Sequence, residues 1–177
     1  MRRLLFTLLC GLVAVPAALA STHATGDGVF ELSNVSGKVS IGSFAQPAKG
    51  VLWGQMDKGT LKTVDPLPGD GAVLVSGYET KTPVAATDTA PKMTIYQGRD
   101  LHFRVTGGKY SLIFSGTGID LTAVGVGAAT LSGNPGAADP GTYAVDSGGW
   151  QPVPLSNDPT TPFVKVSFPA PPVTSSP

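Results

Sequence analysis

RDLHFRVTGGKYSLIFSG, residues 99–116, is the most regular stretch of the sequence. Apolar and polar residues alternate on both sides of a Gly-Gly pair, and a period of two residues is typical of a β-strand with one buried face. With Gly107 and Gly108 as a two-residue turn, the pattern predicts an antiparallel hairpin in which Phe103 faces Leu112. The predicted core face comprises Leu101, Phe103, Val105, Tyr110, Leu112 and Phe114, and the predicted wet face comprises His102, Arg104, Thr106, Lys109, Ser111 and Ile113.

The rest of the chain has the same character. Short runs rich in Val, Ile, Thr, Phe and Tyr are separated by turn residues, and the chain holds 23 glycines and 16 prolines. This pattern predicts an all-β fold, an antiparallel β-sandwich of short glycine-bounded strands, with a β-solenoid-like roll as the alternative. Long loops are predicted at 79–91 and 133–141. The predicted strands are 29–33, 38–44, 51–56, 59–64, 72–78, 92–96, 101–106, 109–115, 119–125, 128–132, 142–146 and 163–168.

The first twenty residues have the features of a secretory signal peptide. Arg2 and Arg3 are followed by the apolar run LLFTLLCGLVAV, and the segment ends in Ala-Leu-Ala at 18–20. The apolar run is shorter than the about 20 residues that a membrane span needs. The sequence therefore predicts cleavage after Ala20 and a secreted or extracytoplasmic protein, in the periplasm or at the cell surface.

Removing residues 1–20 leaves a chain with distinctive chemistry. The only cysteine is lost, so disulfides are excluded, and 10 basic residues remain against 12 acidic ones, a formal charge of −2. With few scattered cations and no second long apolar segment, we expect neither a nucleic-acid partner nor a membrane span in the mature chain. The predicted organisation is one β domain over 21–168 and a disordered proline-rich tail over 169–177.

The residue types that carry catalysis are sparse. His102 is the one histidine outside the N-terminal region, and no Gly-x-Ser-x-Gly motif accompanies it. Five of the ten aspartates lie beside Gly or Pro, where the side chain usually stabilises its own turn. Cysteine and histidine clusters that would hold a transition metal are absent from the sequence. We therefore predict no catalytic residue, no metal site and no cofactor.

Binding residues are predicted on the wet face of the hairpin. His102, Arg104 and Lys109 are its polar candidates for contacting a ligand. Trp53 and Trp150 could stack on carbohydrate, but each is expected to anchor the core because Trp53 lies mid-strand and Trp150 follows a tight turn.

The second half of the chain resembles a pattern found in small uncharacterised secreted bacterial proteins rich in β-structure. The motifs are Gly-Arg-Asp-Leu-x-Phe-Arg, Gly-x-Gly-Ile-Asp-Leu-x-Ala-Val-Gly and the ending Gly-Thr-Tyr-Ala-Val-Asp-Ser-Gly-Gly-Trp, within residues 98–155. The resemblance implies secretion and β-structure. It implies no catalytic residue, because no activity is assigned to that group.

Together these observations predict a secreted, non-catalytic β-domain. It would be an envelope-associated or extracellular interaction or structural module, whose partner is an envelope component or another protein. The alternative is an extracellular hydrolase that uses dispersed carboxylates. A subunit of an assembly or filament, which would use exposed strand edges, is the third class.

Overall fold

The computed structural model describes residues 26–65, 69–87 and 91–169. Eight β-strands and no helix occur in these ranges. The predicted signal peptide and residues 170–177 of the predicted tail lie outside the described residues. The strands are β1 (Gly28–Ile41), β2 (Ala48–Val64), β3 (Val73–Val84), β4 (Met93–Val105), β5 (Lys109–Gly133), β6 (Thr142–Val145), β7 (Gln151–Pro152) and β8 (Val164–Phe168).

All eight strands belong to one hydrogen-bonded sheet. Its order is β3-β4-β2-β5-β1-β6-β7, and β8 pairs with β5. Residue numbers rise along one strand of each pair as they fall along the other: Gly28 lies opposite Gly125, whereas Ile41 lies opposite Leu112. The predicted all-β, antiparallel class is therefore confirmed. The finer choice between a sandwich and a roll stays a prediction.

The predicted hairpin around Gly107 and Gly108 is wrong. β4 and β5 are not neighbours, because β2 lies between them and pairs with β4 along one edge and with β5 along the other. Phe103 consequently lies opposite Gly54 rather than Leu112. The two glycines carry the chain past the end of β2, where Lys49 lies opposite Lys109.

The division of this stretch into two faces is nevertheless largely correct. The rings of Phe103 and Phe114 pack with their centroids 4.8 Å apart. Ser111 is an exception on the wet face: it is buried, and its Oγ donates a hydrogen bond of 2.8 Å to the carbonyl of Ser43. The alternation of apolar and polar residues thus identifies the buried and exposed faces even where the predicted strand pairing is wrong. All six residues of the predicted core face are buried: Leu101, Phe103, Val105, Tyr110, Leu112 and Phe114.

Glycines lie inside the strands rather than between them, which corrects the predicted short strands. The segments 109–115, 119–125 and 128–132 are parts of one strand, β5, which is 25 residues long. β1, β2 and β4 likewise join segments that the sequence predicts to be separate. The predicted loop at 79–91 is also partly strand, because β3 continues to Val84.

β5 curls tightly around the core. Ile41 pairs with Leu112 along one edge of β1 and with Ala129 along the other. The two partners of Ile41 are therefore about two strand spacings apart, roughly 10 Å, although an extended segment of about 17 residues would span roughly 55 Å. A strand follows so short a path only where its backbone bends sharply.

A transverse row of glycines supplies one such bend. The five glycines lie opposite one another on adjacent strand segments, at positions that alternation directs towards the core. A Cβ on Gly116 would overlap the carbonyl oxygen of Lys58 on the neighbouring strand. Glycine kinks of this kind introduce curvature into a sheet. The members of the row are Gly133, Gly37, Gly116, Gly59 and Gly98.

Backbone irregularities lie two residues from that row. Asp100 has a φ of 58° and Gly118 has a φ of 63°. Both stand beside Asp57 in the register, since the pairs on either side of Asp57 join Met56 to Leu101 and to Ile119. A left-handed residue inside a strand is the mark of a β-bulge, which adds local twist and redirects side chains.

Tyr110 carries a polar group into this core. Its side chain is fully buried, and within the described part of the chain its hydroxyl has no hydrogen-bond partner. Burial of the ring raises the pKa of the Tyr110 hydroxyl above its usual value. An unpaired buried hydroxyl costs about 1–3 kcal/mol of stability.

We expect Tyr110→Phe to keep or raise the stability near pH 7, by up to about 1 kcal/mol, because it removes the unpaired hydroxyl. Above about pH 10 the unfolded chain loses the tyrosine proton while the folded protein retains it, so wild-type stability falls as the pH rises. Tyr110→Phe does not undergo this loss of stability, so its free energy of unfolding relative to the wild-type protein should increase between about pH 7 and pH 11. Urea unfolding at both pH values measures the difference, and an advantage that shrinks with pH would contradict the assignment.

Candidate functional site

Trp53 is exposed on the outer face of the sheet, which corrects its predicted role as a core anchor. Its relative exposure is 47%, although it lies in the middle of β2 between the buried residue Leu52 and Gly54. Trp150 is also exposed, at 52%, next to the edge strand β7. Trp53 differs from Trp150 in its position, because it belongs to a strand that is paired along both edges.

Polar side chains surround Trp53 in a regular grid. Trp53 lies opposite Arg104 of β4 and Thr122 of β5. Two residues further along, Gln55 lies opposite His102 and Asp120. Directly opposite residues have their Cβ atoms about 4.5–5.5 Å apart, so the six side chains form one continuous surface.

These residues line a groove of about 500 Å³, which we call the Trp53 groove. It is defined by the six outward residues of the grid, and its lining is completed by Leu32, Gly54, Phe103 and Leu121. On β3, Leu74 lies opposite Arg104 and Ser76 lies opposite His102, and both line a smaller adjoining depression of about 190 Å³. The side chain of Leu74 is 54% exposed and extends the apolar surface.

Two contacts orient the carboxylates at this surface. The Oδ1 atom of Asp120 accepts a hydrogen bond of 2.8 Å from the backbone N–H of Asn34. On the other side, the Nε2 atom of His102 lies 3.2 Å from Oδ1 of Asp100, the residue at the bulge of β4. The bulge therefore brings a carboxylate to the outer side of β4, next to the histidine.

The groove is rigid and nearly neutral. β4, β2 and β5 each have a strand partner along both edges beside the groove. Their backbone N–H and C=O groups are therefore hydrogen-bonded to neighbouring strands rather than offered to a ligand. Arg104 and Asp120 contribute one positive and one negative charge. The arrangement can therefore offer a flat aromatic face together with fixed side-chain donors and acceptors.

The structure brings together two of the three predicted binding residues. His102 and Arg104 are exposed and both line the groove. Lys109 is exposed elsewhere: it lies opposite Lys49, and its backbone N–H donates a hydrogen bond of 3.0 Å to Oδ2 of Asp70. Lys109 is not part of the groove, because the predicted hairpin that placed it beside Arg104 does not form.

Sequence reasoning missed Trp53, Gln55 and Asp120. Alternation in Leu-Trp-Gly-Gln-Met, residues 52–56, directs Trp53 and Gln55 away from the buried Leu52 and Met56. The same period applied to Gly-Ile-Asp-Leu directs Asp120 outwards. The signal was therefore present, but the turn role predicted for the aspartates obscured it.

That turn role is correct for other aspartates. The Oδ1 atom of Asp139 accepts a hydrogen bond from the backbone N–H of Gly141, two residues on. Asp158 accepts from the N–H groups of Thr160 and Thr161, and these two bonds lower the pKa of its carboxyl. The carboxylates of Asp139 and Asp158 therefore stabilise the turns in which they lie.

Other surface features offer less chemistry. A larger depression of about 710 Å³ between the 42–47 loop and β8 is lined mainly by small residues, with Lys165 as its charged member. Among the residues that the structure describes, no group of three or more His, Cys, Asp or Glu side chains could hold a metal ion. Over the same ranges, no helix has the length and apolar character to cross a membrane.

Comparison of the chain with family models, with curated proteins and with solved structures gives no match. The resemblance to small secreted bacterial proteins therefore stays a prediction. The function has to be argued from the groove itself.

Proposed function

We propose that this chain is an exported, non-catalytic binding module of the cell envelope or extracellular space, and that the Trp53 groove is its ligand-contacting surface. The observation that carries the proposal is the half-exposed Trp53 ring at the centre of a doubly paired region of the sheet. Trp and Arg are the residue types that most often dominate binding energy. Here Trp53 and Arg104 lie directly opposite each other.

The rigidity of the groove supports binding in particular. A site on paired strands requires no ordering of its backbone when a ligand arrives, which lowers the entropic cost of binding. Asp120 is the carboxylate in the groove lining, and one of its oxygens is engaged by the Asn34 amide. A second carboxylate, Asp100, lies exposed beside His102 at the border of the groove and is not part of its lining. Glycoside hydrolysis usually requires two carboxylates on either side of one bond, and the lining supplies one, so this geometry favours binding over the alternative hydrolase.

Export is part of the same proposal, and it predicts a defined mature terminus. When the full-length gene is expressed with a C-terminal tag in a bacterial host, we expect the protein to be recovered outside the cytoplasm and to begin at Ser21, since Ala-Leu-Ala at 18–20 has the small-residue pattern that signal peptidase recognises. Intact mass and N-terminal sequencing measure this. Recovery of uncleaved chain in the cytoplasm alone would contradict the export proposal.

Trp53→Ala tests the surface. We expect the variant to retain at least about tenfold less solubilised envelope material than the wild-type protein, because the substitution removes the aromatic anchor. Retention on immobilised protein, quantified by mass spectrometry and by sugar analysis, is the measurement. His102→Ser combined with Arg104→Ser should give a similar loss.

Two matched controls accompany this experiment. Trp150→Ala removes a tryptophan of similar exposure outside the groove, and Lys109→Ser removes a predicted binding residue that the fold places elsewhere. Both controls should retain as much material as the wild-type protein. Equal retention by Trp53→Ala and Trp150→Ala would show that the groove is not the binding surface.

A further inference from the structure

We infer that the Trp53 groove binds a neutral glycan built of hexose units, with one pyranose ring stacked on Trp53. The inference rests on the proposed function of the groove and adds the chemical class of its ligand. Three features carry it: the aromatic face, the balance of charge and hydrogen-bonding groups around it, and the complete pairing of the strands beneath it.

The aromatic face suits a sugar ring. A pyranose presents a face of C–H groups and a rim of hydroxyls, so it needs a flat apolar surface bordered by polar groups. Trp53 provides that surface at 47% exposure, with Arg104 and Thr122 on its two sides. Indole combines a large apolar area with few rotatable bonds, which lowers the entropic cost of the contact.

The polar rim matches hydroxyl groups, which both donate and accept hydrogen bonds. Arg104 only donates, an ionised Asp120 only accepts, and Gln55 does both. No hydrogen bond to the Oδ2 atom of Asp120 is found within 26–65, 69–87 and 91–169. A sugar hydroxyl can therefore donate to Oδ2 while its neighbour accepts from the guanidinium.

The charge balance favours a neutral ligand. Arg104 and Asp120 lie on the two strands that flank β2 and contribute one charge of each sign to the lining. Asp100, beside His102, adds a negative charge at the border of the groove. An acidic glycan or a nucleic acid would bring repeated negative charges past Asp120, and the groove lining contains one arginine and no lysine to compensate them. Neutral hydroxyls meet no such penalty.

The strand pairing disfavours an extended peptide. Peptides that bind sheets usually add a strand and use main-chain hydrogen bonds along an open edge. β2 and β4 have no open edge beside Trp53, because β3, β4, β2 and β5 are consecutive in the sheet. These four strands span about 14 Å, so the groove and its extension by Leu74 can contact more than one ring of a chain.

The experiment uses defined probes and the full-length protein recovered after expression. Cellohexaose, maltohexaose and hexa-N-acetylchitohexaose are the neutral probes, and a hyaluronan hexasaccharide is the acidic one. Trp150→Phe leaves Trp53 as the only tryptophan, so a change in emission reports contact with that ring. We expect at least one neutral probe to change the Trp53 emission saturably, and the hyaluronan probe to leave it unchanged.

Titration calorimetry with that neutral probe then measures affinity. We expect Trp53→Ala to weaken binding at least about tenfold, and Trp150→Ala to change it by less than about twofold. Equal binding by Trp53→Ala and wild-type protein would overturn the inference, as would binding of the hyaluronan probe alone. If no neutral probe binds while envelope material is still retained through Trp53, the ligand class is wrong and the proposed function stands. If Trp53-dependent retention is also absent, both are wrong.

Discussion

Gly116→Ala is expected to lower the free energy of unfolding by about 3 kcal/mol, the upper end of the range for overpacked sites. The new Cβ would overlap the carbonyl oxygen of Lys58 and crowd the Cα of Gly59, so two paired backbones must separate. For a chain of this length, such a loss corresponds to a fall in Tm of about 6–12 °C. Thermal and urea unfolding followed by circular dichroism measure both quantities.

Gly149→Ala is the matched control for this prediction. A Cβ at Gly149 meets no atom within 4 Å, so the same chemical change should alter stability by no more than about 0.5 kcal/mol. A Gly116→Ala protein as stable as Gly149→Ala would mean that the glycine row does not hold neighbouring backbones in close contact.

Phe114→Ala should destabilise the protein by about 3–5 kcal/mol. The ring is fully buried, lies 4.8 Å from the ring of Phe103, and belongs to a part of β5 that pairs with both β1 and β2. Its removal leaves a cavity that these constrained strands cannot collapse to fill, and urea unfolding measures the loss.

Phe44→Ala provides the comparison. Phe44 is 51% exposed in the loop between β1 and β2, so its truncation should cost no more than about 0.5 kcal/mol. Similar losses for the two variants would contradict the assignment of Phe114 to the centre of the core.

The buried face of residues 99–116 could be predicted from the sequence because alternation is a local property. Leu101 and Phe114 point inwards whichever strand lies beside them, since the side-chain period of a strand does not depend on its neighbour. The neighbour itself is set by the whole sheet. β2 lies between β4 and β5, and nothing within residues 99–116 encodes that insertion.

The glycines explain the other structural error. A glycine at the end of a strand and a glycine at a bend inside a strand look alike in a single sequence. Only the register shows that Gly37, Gly116 and Gly59 lie opposite one another, which identifies them as parts of one bend.

The candidate site was predicted in part for a related reason. His102 and Arg104 follow from alternation within β4, and the structure confirms that both face outwards. Trp53 and Asp120 are brought to them by β2 and β5, from positions about 50 and about 20 residues away in the chain. A local pattern cannot supply that proximity.

The position of β5 also has a consequence for the order in which the protein can fold. β1 and β2 pair with β4, β5 and β6. Val51 of β2, for example, lies opposite Val124 of β5, which is about 70 residues further along the chain. Within the described residues β1 and β2 do not pair with each other, so each lacks a strand partner until later strands have been synthesised. Pairing between such distant segments is slow. If the chain is exported as we propose, this delay would keep its first half unfolded, and therefore able to cross the membrane, until the second half has crossed as well.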